Sequence, residues 1–175
     1  LFDAHPKYIS SQLAESIVHP ENEIHYHKIQ HHKAHFAAIL GEKKLWKSKD
    51  KILGIIWDGI GYGDDDQIWG GEFFEYQNKA MNRLGHLDYY PWVLGDKMSK
   101  NPKISAVSIS DSNPLFRNHF DDNEWAIYTK TIQNPRVNTS SMGRLFDAVG
   151  FVLGFHQPIY FEGEAAIYLE KLAQE

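Results

Sequence analysis

An apolar run that stops at a carboxylate and enters a glycine-rich segment is the feature that most constrains how this chain folds. Residues Ile52 to Trp57 are apolar apart from one glycine, Asp58 follows them, and glycines occupy alternate positions from Gly59 to Gly63. This pattern predicts a buried strand that ends at Asp58 and enters a tight turn that glycine permits. The acidic residues 64–66 would form the polar tip, and Gln67 to Gln77 would return as the second strand of a hairpin. Asp58 would then lie at a strand end, where ligand sites of α/β sheets usually lie.

Two histidines spaced four residues apart precede this hairpin. A helix is predicted from Gln30 to Lys43, and within it His31 and His35 are one turn apart on one face. Two imidazoles with this spacing can chelate a metal ion, and Asp58 would complete a three-ligand site. The competing interpretation is a surface or hydrogen-bonded pair, since the chain has 10 histidines, and the glycine segment alone can be only a hairpin turn. His32 points about 100° away from His31 and is expected to orient the helix or contact a ligand.

Short motifs along nearly the whole chain follow the order and spacing of a known family. They are DAHPKY from Asp3, HHKAH from His31, DGIGYG from Asp58, WGGEF from Trp69, NTSSMGRLFDA from Asn138 and YFEGEAA from Tyr160. With this combination the chain resembles the HypF carbamoyltransferases of nickel–iron hydrogenase maturation. Several motifs in one order are far more specific than any one of them.

The resemblance implies a fold as well as a family. The residues alone indicate α/β structure with at least one hairpin. The family implies an actin-like ATPase, or ribonuclease H-like, lobe of a Kae1-like domain, with a mixed sheet and flanking helices. Residues 1–175 would be part of that domain, without the acylphosphatase-like, zinc-finger and YrdC-like parts or the second lobe. The first residue is Leu, so a truncated fragment that carries half of the family's site is expected.

The same resemblance implies a reaction. In the complete family protein, carbamoyl phosphate and ATP give carbamoyl-adenylate, and the carbamoyl group passes to the C-terminal cysteine of the partner HypE for cyanide ligand synthesis. A divalent metal on His31, His35 and Asp58 would act as a Lewis acid, and iron and zinc both suit this ligand set. The acceptor thiol belongs to the partner, in agreement with a chain that has no Cys. The isolated chain is expected to be inactive because it is incomplete.

Six residues are expected to contact the nucleotide: Gly59, Gly61, Tyr62, Gly63, Asp147 and Glu162. The loop amides between Gly59 and Gly63 would face phosphate oxygens. Asp147 and Glu162 match residues that contribute to ribose recognition in the related Kae1-type proteins. The competing interpretation of Asp147 is an ion pair with Arg144, three residues earlier.

The remaining predicted elements are less distinctive. They are a helix that ends near Ile17 and is broken by residues 19–22, strands over 24–29 and 83–87, a helix from the acidic residues at 121 to Gln133, and a helix capped by Thr139, Ser140 or Ser141. The last helix would bury an apolar face formed by Leu145, Phe146, Val149, Val152 and Leu153. Residues 104–109 fit a helix or a strand. The patch from Lys97 to Lys103 departs from the family pattern, which leaves a ligand role there in doubt.

Charge and hydropathy exclude some function classes. A formal net charge of −5 and a pI near 6.0 argue against a general nucleic-acid binder. No apolar run approaches the roughly 18 residues of a membrane span, and no signal-like start is present, so a soluble cytoplasmic protein is expected. Two alternatives stay open at this point. One is a related metal-dependent O-carbamoyl or tRNA threonylcarbamoyl transferase, and the other is a non-catalytic remnant or interaction module.

Overall fold

The computed structural model of the chain describes residues 1–17 and 25–174. The predicted helix break at residues 19–22 and the start of the predicted strand at residue 24 lie outside these residues. The regular elements are strands β1 Phe2–Asp3, β2 Lys28–Ile29, β3 Ile52–Tyr62, β4 Ile68–Gln77, β5 Ala80–His86, β6 Tyr90–Pro91 and β7 Asn138–Thr139, and helices α1 Ile9–Ile17, α2 His31–Glu42, α3 Asp96–Lys100, α4 Pro102–Ile109, α5 Asp122–Gln133, α6 Met142–Val152 and α7 Glu164–Leu172. Short 3-10 helices occupy Leu45–Lys47 and Pro114–His119.

A mixed sheet forms the centre of the fold. Strands β3 and β4 are antiparallel, β5 pairs with β4, β7 runs parallel to β4, and β6 is antiparallel to β7. Helix α2 packs on one face through Phe36 and Leu40, which join Ile56 and Phe74 in a buried cluster. The predicted hairpin, the third strand and the mixed sheet with flanking helices are therefore confirmed. Strands β1 and β2 form a separate parallel pair at the start of α2.

The predicted end of the first hairpin strand is wrong. Strand β3 continues past Asp58 to Tyr62, and its pairing with β4 is irregular between Trp57 and Gly61. Glycines tolerate the local change of twist that such a bulge requires, so the strand bends instead of ending. Asp58 consequently lies within a strand, at the irregularity, and not at a strand end.

Polar side chains satisfy free backbone N–H groups at the start of α2 and of α5. Gln30 caps α2 by accepting from the backbone N–H of Lys33, and Asp121 caps α5 by accepting from that of Glu124. The ambiguous run over residues 104–109 is helical, with Pro102 in the first turn of α4. The predicted helices ending at Ile17, beginning after Gln30 and spanning the segment after Asp121 are confirmed.

The predicted apolar face of α6 is wrong. Val149, Val152 and Leu153 are 39%, 61% and 53% exposed, whereas the polar residues Arg144 and Asp147 are buried. The reason is tertiary: α6 approaches β3 so closely that a Cβ at position 143 would lie 3.0 Å from the Cα of Gly59. At this contact α6 therefore carries a glycine, and part of the predicted apolar stripe stays at the surface.

A second core lies beyond the sheet, between helices α3, α4 and α5. Its buried members are Val93, Met98, Ile104, Val107, Phe120, Tyr128 and Ile132. This core fixes the short helix α3, because Met98 is fully buried within it. None of the helices in the described part of the chain combines the length and the apolar character that a membrane span needs.

Candidate metal centre

The first turn of α2 and the irregular part of β3 bring three side chains together. The Nε2 atoms of His31 and His35 are 3.2 Å apart, and they lie 3.1 Å and 3.5 Å from Oδ2 of Asp58. Ligands that bind zinc at about 2.0–2.1 Å with tetrahedral angles lie about 3.3 Å from one another, so the three atoms have the spacing of one face of a coordination polyhedron. Among the described residues, these three form a group that could hold a metal ion.

Asp3 holds His31 from the side opposite the cluster. The Nδ1 atom of His31 lies 2.8 Å from Oδ2 of Asp3, which β1 brings to the start of α2 through its pairing with β2. Metal-bound histidines usually donate their second ring nitrogen to a carboxylate, which fixes the tautomer and the ring orientation. The close contact with Asp58, opposed by burial and aided by Asp3, raises the pKa of His31 to about 9 when no metal is bound.

Asp58 presents one oxygen to the cluster and fixes the other in the protein. Its Oδ1 accepts from the backbone N–H of Gly59 at 2.6 Å, while the buried Oδ2 has no well-aligned hydrogen bond among the described residues. Burial raises the pKa of Asp58, but the contact with His31 and the hydrogen bond from the Gly59 N–H outweigh it, so the net shift is downward. A buried carboxylate oxygen left without a donor is a group that a cation would satisfy, and the three residues therefore fit a divalent metal.

His32 is fully buried and belongs to the interior of the site. Burial lowers its pKa to about 4. A Cβ on Gly61 would lie 2.3 Å from Cε1 of His32, so β3 has a glycine where the imidazole ring occupies the space. That His32 lies outside the three-ligand set stays a prediction.

A cavity of about 440 Å³ adjoins the cluster. His31 and Asp58 line one side, and Lys100, Arg144, Asp147 and Glu162 are among the other residues that line it. The Nε of Arg144 is 2.7 Å from Oδ2 of Asp147, so the predicted ion pair exists and faces the cavity. Burial raises the pKa of Asp147 to about 6, although Arg144 opposes the shift.

The structure separates the residues predicted to contact a nucleotide. Gly59, Asp147 and Glu162 line the cavity and also a neighbouring one of about 210 Å³. A Cβ on Gly63 would instead meet the Trp69 ring, and the hydroxyl of Tyr62 donates to Asp66. The N–H groups of Gly59 and Gly63 already donate to Asp58 Oδ1 and to the Gln67 carbonyl, so they do not face a phosphate in this conformation.

Three residues of the site were not predicted from the sequence. Asp3 reaches His31 through a strand pair of two residues, which is too short to leave a pattern. Lys100 lies in the patch that departs from the family pattern, and the backbone carbonyl of Lys100 accepts from Ile159 at 2.9 Å, which ties α3 to the segment before Glu162. Arg144 was considered only as the partner of Asp147, although it also lines the cavity.

Comparison with known proteins identifies the family. Residues 54–175 match the family model described as the carbamoyltransferase, Kae1-like domain, second subdomain, and residues 1–42 match that of the HypF Kae1-like domain. This chain belongs to the HypF carbamoyltransferase family. The HypF carbamoyltransferase of Synechocystis is 34% identical over 96% of the chain, and HypF2 of Cupriavidus necator is 34% identical over 98%. The chain spans 24% and 22% of the length of these two HypF relatives.

Two solved HypF structures share the fold. A full-length HypF in a phosphate- and nucleotide-bound form matches with a TM-score of 0.82 at 33% identity, over 96% of this chain and 22% of that one. HypF of T. kodakarensis matches with a TM-score of 0.82 at 29% identity, over 99% of this chain and 24% of that one. The predicted family and the predicted α/β fold class are both confirmed.

Proposed function

We propose that this chain forms the metal- and nucleotide-binding part of a carbamoyltransferase that acts in hydrogenase maturation. The complete protein would use carbamoyl phosphate and ATP, through carbamoyl-adenylate, to carbamoylate the C-terminal cysteine of a HypE-like partner. The proposal rests on the position of the cluster beside the cavity. His31 and Asp58 belong to the three-residue cluster, and they also line the cavity that Asp147 and Glu162 line.

The cluster's own residues prepare the site for a cation. Asp3 holds the His31 ring so that Nε2 faces Asp58, and Gly59 holds Oδ1 of Asp58 so that Oδ2 faces the histidines. The His35 side chain is 55% exposed, so the cluster is open on one side, as catalytic metal sites are. When bound, iron or zinc would supply a Lewis acid that stabilises negative charge on a leaving phosphate.

The cavity has groups that suit an adenylate. The carboxylates of Asp147 and Glu162 can accept hydrogen bonds from ribose hydroxyls, and Gly59 leaves open space beside them because nothing lies within 4 Å of a Cβ built there. Lys100 and Arg144 give the wall positive charge, which favours a phosphate. The nucleotide-bound HypF relative supports the same assignment by similarity.

Binding of AMP tests this proposal. AMP carries the phosphate and ribose of an adenylate, so zinc-loaded wild-type protein should bind it in isothermal titration calorimetry. Asp147→Ala should weaken binding about tenfold, because a ribose hydroxyl then loses a charged acceptor. Asp88→Ala, in the loop between β5 and β6, is the matched control and should bind as wild type does. Absence of AMP binding by the folded, zinc-loaded wild type would contradict the proposal.

A further inference from the structure

The Nε2 atom of His32 has no role in the three-residue cluster of His31, His35 and Asp58. The side chain is 0% exposed, yet its Nε2 has no hydrogen-bond partner among the described residues. A buried N–H without an acceptor loses its hydrogen bond to water, so such a group needs an explanation. A charged atom, Oδ2 of Asp58, lies 3.6 Å from this nitrogen.

The hydrogen bonds of Gln30 fix which nitrogen of His32 carries the proton. The Oε1 atom of Gln30 accepts from the backbone N–H of Lys33 at 2.9 Å, and its Nε2 donates to the carbonyl of Tyr62 at 2.9 Å. Both contacts involve backbone groups, so the amide cannot be turned around. The same amide nitrogen lies 3.0 Å from Nδ1 of His32, which must therefore accept. The proton of the ring consequently sits on Nε2, the atom that faces Asp58.

Asp58 can receive this donor because of how its carboxylate is held. Oδ1 is fixed by the Gly59 N–H at 2.6 Å, and Oδ2 is the oxygen that His31 and His35 share. A movement of about 0.5 Å would bring the His32 Nε2–H within hydrogen-bond distance of Oδ2. The second lone pair of Oδ2 stays free for a cation, because a carboxylate oxygen can accept a hydrogen bond and bind metal at once.

We propose that His32 is a positioning residue that donates from Nε2 to Oδ2 of Asp58 and so orients this carboxylate toward a bound divalent cation. This inference rests on the proposed metal site of His31, His35 and Asp58. It also explains Gly61, since a side chain there would displace the His32 ring. A residue that only filled space would not need Gln30 to select its tautomer.

Two substitutions separate the positioning role from packing. In His32→Gln the amide nitrogen takes the place of Nε2 and keeps the donor to Asp58, whereas in His32→Asn the amide takes the place of Nδ1 and keeps only the contact with Gln30. Both remove part of a buried ring, so both should lower the stability of the metal-free protein by similar amounts. The zinc affinity should fall about 10- to 100-fold in His32→Asn and change less than about threefold in His32→Gln.

Zinc affinity is measured by competition with a chromophoric chelator, and the visible absorption of the cobalt(II)-loaded protein reports the geometry around the metal. His32→Asn should change that spectrum, and His32→Gln should preserve it. Equal zinc affinities in the folded His32→Asn protein and the wild type would overturn the proposal, as would equal losses in both variants. His35→Ala tests the metal site separately from the positioning role of His32. If His35→Ala loses zinc while His32→Asn does not, the metal site stands and the positioning role fails. If the wild type binds no zinc, both fail.

Discussion

His31 uses both of its ring nitrogens, one toward Asp3 and one toward Asp58. The spacing of His31 and His35 was sufficient to predict their proximity, because positions four apart share a helix face. The role of Asp3 was not predictable in the same way, since a contact across 28 positions depends on the β1 and β2 pairing and not on any local period. The short spacing therefore predicted that the two histidines lie together, and the fold supplied the carboxylate that orients His31.

The stability of the metal-free protein should depend on the charge of His31. Its pKa is raised from 6.5 to about 9 in the folded state. The stabilising contribution of His31 is therefore fully present below about pH 6.5 and is lost as the pH rises to about 9. Urea unfolding of wild type and His31→Gln over this range should show a difference in unfolding free energy that shrinks with rising pH. A difference that stays constant would contradict this account, and Lys28→Gln controls for a surface change on β2.

The buried ion pair at the cavity should be sensitive to the loss of one partner. Arg144 and Asp147 are 9% and 4% exposed, and their charged atoms are 2.7 Å apart. Asp147→Ala leaves an unpaired guanidinium inside the protein, so the unfolding free energy should fall by about 3 kcal/mol in chemical denaturation. Asp122→Ala removes a carboxylate that is 93% exposed in its own ion pair and should cost less than about 1 kcal/mol. Equal losses in the two variants would show that burial of the Arg144 pair has no special effect.

At the scale of elements, β3 decides the geometry of the site. The sequence predicted the hairpin with β4, because apolar runs flanking a polar tip leave a strong signal. It did not predict that β3 continues through Asp58, since glycines fit a turn and a bulged strand equally well. The apolar face of α6 was also predicted wrongly, because the helix meets β3 through Gly143, a tertiary contact that the apolar spacing does not reveal.

Two glycines of β3 give a matched pair of variants that test how this strand shapes the metal site. A Cβ at Gly61 would meet the His32 ring at 2.3 Å, and one at Gly54 would meet the Phe36 ring at 2.7 Å. Both alanine substitutions overpack the contact with α2 and should cost about 1–3 kcal/mol in urea unfolding. Only Gly61→Ala should also weaken zinc binding in chelator competition, because only it displaces a side chain beside Asp58. Equal zinc affinities in the two variants would contradict this assignment of β3.

At the scale of the whole molecule, the sheet presents an unusual outer face. Leu53 and Ile55 on β3 are 59% and 54% exposed, and β3 is an end strand in the described sheet. Adjacent apolar side chains of this kind on an end strand favour association. The family and the fold class were predictable because the motifs extend over nearly the whole chain. The exposure of this face was not predictable, because an apolar sequence predicts a buried strand whether or not another element covers it.

Replacing the outer row of β3 should change association but not the site. Leu53→Lys with Ile55→Lys adds charge to the exposed face, and both residues point away from the side that packs on α2. Sedimentation velocity of the wild type should show concentration-dependent association that the double variant reduces, while zinc affinity stays within about twofold. A wild type that remains monomeric at high concentration would contradict this expectation.

The metal content of the purified chain tests the central claim most directly. Plasma mass spectrometry should find about one iron or zinc per chain in the wild type and none in His31→Ala with His35→Ala. EDTA should lower the melting temperature of the wild type alone, because a metal that binds only the folded state stabilises it. The exposed His25 and His27 give the matched control, whose double alanine variant should retain the metal. A folded wild type that takes up no iron or zinc, even when either metal is supplied in excess, would contradict the account.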